Sequence, residues 1–246
     1  MYPESVSRIL ARAGFACGRG GCSFVRGNDV RVNGVRIHDH RFTADAERDE
    51  ISVNGEKLPL LRHIYLMMNK PAGFVCAHES GWNPTVYSLT EGISVPSGLS
   101  LNSVGRLDRD TEGLLILTTN GSFSHALMQP EFHVRKVYRA VLSRDMTESE
   151  RKSAAERCLC GITVPPDKKS PEFVTRPSAL EWESPRSCTI AVTEGKFHLV
   201  RRIFSALGND VTSLLRISIG ALHLDRNLAS GEFRELSGKE LKLPFN

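Results

Sequence analysis

No stretch of this 246-residue chain approaches the roughly 20 consecutive apolar residues that a membrane-spanning helix needs, so a soluble chain is expected. The opening Met1-Tyr2-Pro3-Glu4-Ser5 has neither the basic and apolar regions of an export signal nor the arginine- and serine-rich pattern of a transit peptide, which predicts a cytoplasmic protein. The cysteines are sparse: Cys17, Cys22, Cys76, Cys158, Cys160 and Cys188 form no C-x-x-C pair. That excludes the usual thiolate spacing of a structural zinc site, and no metal is expected. Without an export signal these thiols read as reduced, mostly small apolar residues rather than a disulfide frame. The chain also lacks internal repeats and low-complexity tracts. What remains is ordinary globular composition, 40% apolar and 24% charged, in a length that suits one large domain or a main domain with a small appendage.

Lysine is absent until Lys57, and that absence is informative. Residues 1–36 carry Arg8, Arg12, Arg19, Arg26, Arg31 and Arg36 against Glu4 and Asp29, an excess of four positive charges supplied by arginine alone. The guanidinium is a flat multi-donor fork suited to phosphates and base edges, so this segment points toward nucleic acid, with an ordinary solvated surface as the alternative. Val6, Ile9, Leu10 and Ala13 fall at helical spacing before Gly14, which predicts a short helix with Arg8 and Arg12 on its outer face. Period-two alternation over residues 30–37 around Asn33-Gly34, followed by Asn54-Gly55 after Ile51 and Val53, predicts two tight hairpins. These elements make a miniature domain of about 60 residues.

Beyond a linker at residues 57–62, the apolar run Ile64-Tyr65-Leu66-Met67-Met68-Asn69, halted by Lys70-Pro71, reads as a buried strand. Strand-like runs at 113–119, 137–142 and 189–193 alternate with helical stretches at 122–128, 147–157 and 198–207. One larger mixed α and β domain follows. Residues 80–100 and 165–171 read as surface loops.

Three clusters carry chemistry. Gly105-Arg106-Leu107-Asp108-Arg109-Asp110-Thr111-Glu112-Gly113 packs charges of both signs between two glycines, just before an apolar strand. Read blandly it is a solvated connection; read functionally it holds one carboxylate at the mouth of a sheet, with Arg106 and Arg109 beside Asp108 keeping it ionised. In the second, residues 194–208, a helix would show an apolar stripe and a basic row of His198, Arg201, Arg202 and Ser205, suited to a phosphate backbone or to clamping a carboxylate. In the third, Arg135-Lys136-Val137-Tyr138-Arg139, alternation places Tyr138 among small and apolar neighbours, either as core or as a platform for a base.

Taken together, these motifs resemble those of the pseudouridine synthases. The run 105–118, G-R-L-D-R-D-T-E-G-L-L-I-L-T, is similar to the family signature, whose aspartate corresponds to Asp108. Lys136 and Tyr138 resemble its K-x-Y motif, and residues 194–202 its third motif, whose arginine corresponds to Arg201. The Met68-Asn69-Lys70-Pro71 run and residues 216–225 also resemble family segments. Residues 30–34 and the Asn54-Gly55 turn resemble the alpha-L RNA-binding module. Where such modules begin a second helix with Ser-Arg, this chain has Gly18-Arg19-Gly20-Gly21-Cys22, and three glycines disfavour a helix.

The resemblance implies an α+β protein: an alpha-L domain at 1–60 and, at 61–246, a catalytic domain with a mixed, mainly antiparallel sheet flanked by helices. It implies cofactor-free isomerisation of a uridine in ribosomal RNA, the small-subunit 16S RNA by its nearest likeness. Asp108 would be the essential carboxylate, by attack on the ribose or by removing a ribose proton. Arg201 would pair with Asp108, and Tyr138 would stack on the uracil and serve as, or relay to, the base at C5. Arg106 would fill the space left by the flipped base, and Lys136, Lys196, Arg202, Arg8, Arg12 and Arg19 would bind RNA. The partner is ribosomal RNA, free or in a partly assembled subunit, and the protein is expected to act as a monomer away from membranes. Three other readings compete: large-subunit RNA as substrate, an inert assembly factor, and a glycosidase using two of Asp108, Asp110 and Glu112. The complete set of Asp108, Tyr138 and Arg201 argues against the second. Against the third, carboxylates two apart in one loop rarely straddle a bond.

Overall fold

A computed structural model describes residues 3–15, 21–58, 62–96, 98–166 and 171–245. The chain divides into two compact units, one of Met1–Tyr65 with Gly92–Asn102 and Leu117–Ala126, the other of Leu66–Glu91, Ser103–Ile116 and Leu127–Asn246. Among the described residues no helix is long and apolar enough to cross a membrane.

In the first unit the helix Val6–Arg12 buries Val6, Ile9 and Leu10, as its spacing requires. Both Asn-Gly pairs are hairpin turns: Asn33 and Asn54 have φ of 50° and 51° and each is followed by a positive-φ glycine, the combination that matches strand twist. They join Val30–Val32 to Val35–Arg36 and Ile51–Val53 to Glu56–Lys57 in one four-stranded sheet. Val25, Val30, Val32, Ile51 and Val53 pack with the helix into a small apolar cluster.

Two expectations for this unit fail. A helix does form at Gly21–Gly27. Glycine costs most in a helix interior; at the first position the cost is small, and a Cβ on Gly21 would stand 3.1 Å from the Ser7 Cβ, so the missing side chain lets the segments approach. Arg12 is not on an open face, because its guanidinium is bound to the buried Glu4 carboxylate and its side chain is only 11% exposed. Arg8 is exposed, while Arg19 lies outside the described residues.

Glu4 is the hub of a buried polar set. His63 Nε2 lies 2.8 Å from Glu4 Oε1 and His63 Nδ1 3.1 Å from Thr119 Oγ1. Burial alone would raise the Glu4 carboxyl, but hydrogen bonds from His63 and Arg12 outweigh it and hold the pKa at about 2. A carboxyl depressed in the folded state stabilises fully above its unfolded value near 4.5 and progressively less as pH falls toward 2. The unit should therefore lose up to about 3 kcal/mol across that window, and Glu4→Gln should flatten the decline. Unfolding midpoints recorded from pH 6 to 2 check this; parallel curves for the two proteins would refute it.

The second unit is built on a large sheet whose central order is Ala179–Trp182, Ser187–Val192, Lys136–Leu142, Val211–Ile219, Thr111–Thr118, Tyr65–Lys70 and Phe233–Glu235. Its neighbours are mainly antiparallel, with one parallel seam between Val211–Ile219 and Thr111–Thr118. The helices Glu148–Cys160 and Leu199–Ala206 pack on it. The α+β architecture with a mainly antiparallel sheet is as expected. The Thr111–Thr118 strand starts two residues before the apolar run suggests, because Thr111 and Glu112 already pair with Leu214 and Leu215. A short 3-10 helix, Val86–Thr90, interrupts the predicted loop at 80–100.

Candidate active site

The segment 104–111 is held by its backbone. Lys70, a fully buried lysine at the end of Tyr65–Lys70, donates from Nζ to the carbonyls of Pro71 (3.0 Å), Arg109 (3.1 Å) and Thr111 (2.8 Å). Burial lowers its pKa, opposed by the field of Cys76 and the loop acids. The Gly73 amide donates to the Arg109 carbonyl at 2.8 Å. Cys76 Sγ sits against both backbone groups of Leu107, 3.5 Å from its nitrogen and 3.6 Å from its oxygen. The Thr111 amide closes the turn on the Asp108 carbonyl at 3.1 Å. With these clamps on carbonyls and amides, the Asp108 side chain is left for other work.

That side chain lines a cavity of about 560 Å³, within the range of ligand pockets, together with Arg106, Tyr138, Lys196 and His198. Tyr138 is buried in the Lys136–Leu142 strand opposite Ile190 and Arg216, and among the described residues its hydroxyl has no hydrogen-bond partner. Arg106 is exposed and, among the described residues, likewise unpaired. Lys196 pairs with Glu194 at 3.0 Å and lies 3.8 Å over the Phe173 ring.

Several expected arrangements are not found. Arg201 does not pair with Asp108; it donates to the carbonyls of Val211 (2.8 Å) and Asp110 (3.2 Å), which use its donors on the backbone behind the loop. Nor does Arg109, whose guanidinium goes to Asp110 and to Asn83 at 3.1 and 3.2 Å. Arg202 binds the Pro165 carbonyl at 2.6 Å and lies over Phe173, outside the cavity lining. Lys136 is also outside it: half-buried, donating to the Val134 carbonyl at 3.2 Å, with burial and the neighbouring Arg216 cation pulling its pKa down to about 8.

The residue that periodicity misassigns is His198. It precedes the helix Leu199–Ala206 rather than joining its basic row, with φ 52° and ψ 28°. Its Nε2 lies 3.5 Å from Asp108 Oδ1. A helical wheel carries no signal for a left-handed residue one step before the helix.

Residues 64–206 match the family model described as RNA pseudouridylate synthase. A Pasteurella multocida protein named ribosomal small subunit pseudouridine synthase A is 38% identical, covering 86% of this chain and 87% of its own. The Escherichia coli K12 protein of that name is 35% identical over 88% of this chain and 89% of its own. A solved pseudouridylate synthase crystal structure superposes with a TM-score of 0.66 at 31% identity, covering 98% of this chain and 99% of its own.

Proposed function

The chain belongs to the RNA pseudouridylate synthase family, and we propose that it converts a uridine of small-subunit ribosomal RNA, the 16S RNA, to pseudouridine. The reaction breaks the bond from uracil N1 to ribose C1′, turns the base and rejoins it through C5, with no net change of composition. It needs a carboxylate beside the ribose and a pocket for the freed base. The observation that carries the reading is one cavity holding the aspartate of the family signature, Asp108, beside an unengaged Tyr138 hydroxyl.

In this reading Asp108 reacts at the ribose and Tyr138 lies against the uracil. A uridine in structured RNA must leave its stack, at a cost of a few kcal/mol, and the unpaired Arg106 fills the vacancy. Arg201 serves from behind, fixing the loop through the Asp110 carbonyl. Lys196 supplies positive charge at the cavity, with Arg202 and Lys136 further from it. Residues 1–60 act as an alpha-L RNA-binding domain beside a catalytic domain at 61–246. Their separate apolar cluster supports this, and the exposed Arg8, with Arg19, contacts phosphate. In this reading the protein acts as a monomer. We place it in the cytoplasm, where ribosomal RNA and partly assembled subunits are found.

The test is tritium release from RNA labelled at uridine C5, using transcribed small-subunit and large-subunit ribosomal RNA with and without ribosomal proteins. Release from the small-subunit RNA is expected. Release from the large-subunit RNA alone would reassign the substrate, and none from either would favour an assembly factor without catalysis.

A further inference from the structure

Building on the reading of Asp108 as the reacting carboxylate, we propose that His198 is its positioning residue and proton outlet. The imidazole orients Asp108 and passes to solvent the proton that leaves uracil C5. Among the described residues His198 is the one side chain within ion-pair range of the Asp108 carboxylate, at 3.5 Å. The distance suits a contact that shortens when substrate closes the site. The imidazole is 42% exposed and the carboxylate 32%, so the pair bridges cavity and water.

The backbone is arranged for this contact. A left-handed conformation is uncommon for a residue with a Cβ and is maintained only where its surroundings enforce it. Here the Leu199 amide closes a turn on the Lys196 carbonyl at 3.2 Å, and the His198 carbonyl accepts the helix bond from the Arg202 amide at 2.9 Å. Phe197 stacks on the imidazole with ring centres 3.7 Å apart. The other charged groups at the cavity are engaged elsewhere or are cations. Glu194 is held by Lys196 and by the Arg176 amide at 2.8 Å, and Arg109 by Asp110 and Asn83. Arg106 cannot give up its proton in this pH range. Tyr138 faces the cavity, but no contact joins its hydroxyl to Asp108.

The proton balance closes without another reactant. When C5 has bonded to C1′, the C5–H bond breaks and its electron pair restores the C5–C6 double bond. The proton passes to Asp108 and on to His198 Nε2, which loses it to water. Water in turn protonates N1, which kept the pair of the broken N1–C1′ bond. A His198 that already carries both ring protons still pairs with Asp108 but accepts nothing further, so turnover should fall in acid.

The experiment compares the native chain with His198→Asn and His198→Gln. Asparagine tolerates the left-handed backbone but cannot accept and pass on a proton. The expected result is a kcat lower by about 10²-fold and an unchanged KM for RNA. The acid-side decline should vanish, and deuterium at C5 should slow the variants but not the native chain. Native kcat in the variants would overturn the proposal, as would a reduced kcat with the acid limb intact and no isotope effect, which a purely structural role predicts. No tritium release by the native chain would overturn the functional reading and this proposal with it; release by the native chain with either of the other results removes the proposal alone.

Discussion

Replacing Asp108 with asparagine is expected to lower the single-turnover rate of pseudouridine formation by a factor on the order of 10⁴ or more while leaving the fold intact. The amide keeps the shape of the side chain but is neither a nucleophile toward the ribose nor a proton acceptor, so both routes open to the carboxylate close together. The fold should not register the change, since the 3.5 Å approach of His198 is the one ionic contact of this side chain among the described residues. The loop is held through the carbonyls of Arg109 and Thr111. Its unfolding midpoint should move by no more than a surface substitution would allow, within about 0.5 kcal/mol. Asp108→Glu extends the carboxylate by one methylene and should also fail, because misplacing a reacting group by about 1 Å costs about 10²-fold. An asparagine variant that kept a tenth of native activity would remove Asp108 from the mechanism.

Gly113→Ala is expected to be among the most damaging single-methyl changes in the second unit. Gly113 sits in the Thr111–Thr118 strand with φ +97°, paired in parallel with Arg216. A Cβ there would stand 2.4 Å from the Arg216 carbonyl oxygen, 2.8 Å from Leu215 Cδ1 and 3.0 Å from the Arg216 nitrogen. Two of those three atoms are backbone, so relief requires the seam itself to open, on top of the strain of a positive φ. The loss should exceed about 4 kcal/mol, seen as an insoluble chain or a large fall in the urea midpoint. Gly238→Ala, where a Cβ meets nothing within 4 Å and φ is not positive, is the control and should be nearly neutral. A Gly113→Ala protein as stable as that control would mean the seam is looser than described.

Local features of the sequence were readable because their causes are local. Asn33-Gly34 and Asn54-Gly55 specify their turns through the backbone angles those residues tolerate. The helix at Glu148–Cys160 lies where a helical stretch was expected, and the structure shows Thr147 and Glu150 forming a reciprocal cap at its start. The family motifs singled out Asp108 and Tyr138, and both line one cavity. Long-range partnerships were not legible. Arg216 is almost fully buried and donates to the Leu114 carbonyl, 102 residues away, at 2.7 Å. Arg201 reaches back 91 residues to Asp110. An arginine whose partner is a distant carbonyl looks, in sequence, like any solvated arginine. Arg12 deceives in the opposite sense, since helical spacing sets it outward and Glu4 draws it in.

Lys70 has an implication for how the protein fails under stress. Its one ammonium ties the end of a central strand to two carbonyls of the Asp108 loop, where, among the described residues, it makes no carboxylate ion pair that salt or acid would dissolve. Loops at reactive centres commonly open on their own, well below the free energy of global unfolding. This one cannot swing out without abandoning a buried cation among unmatched dipoles. The Asp108 loop therefore belongs to the same cooperative block as the sheet beneath it: amide protons of Gly73 and Thr111 should exchange as slowly as those of the central strands, and heat should abolish catalysis and melt the unit at one temperature.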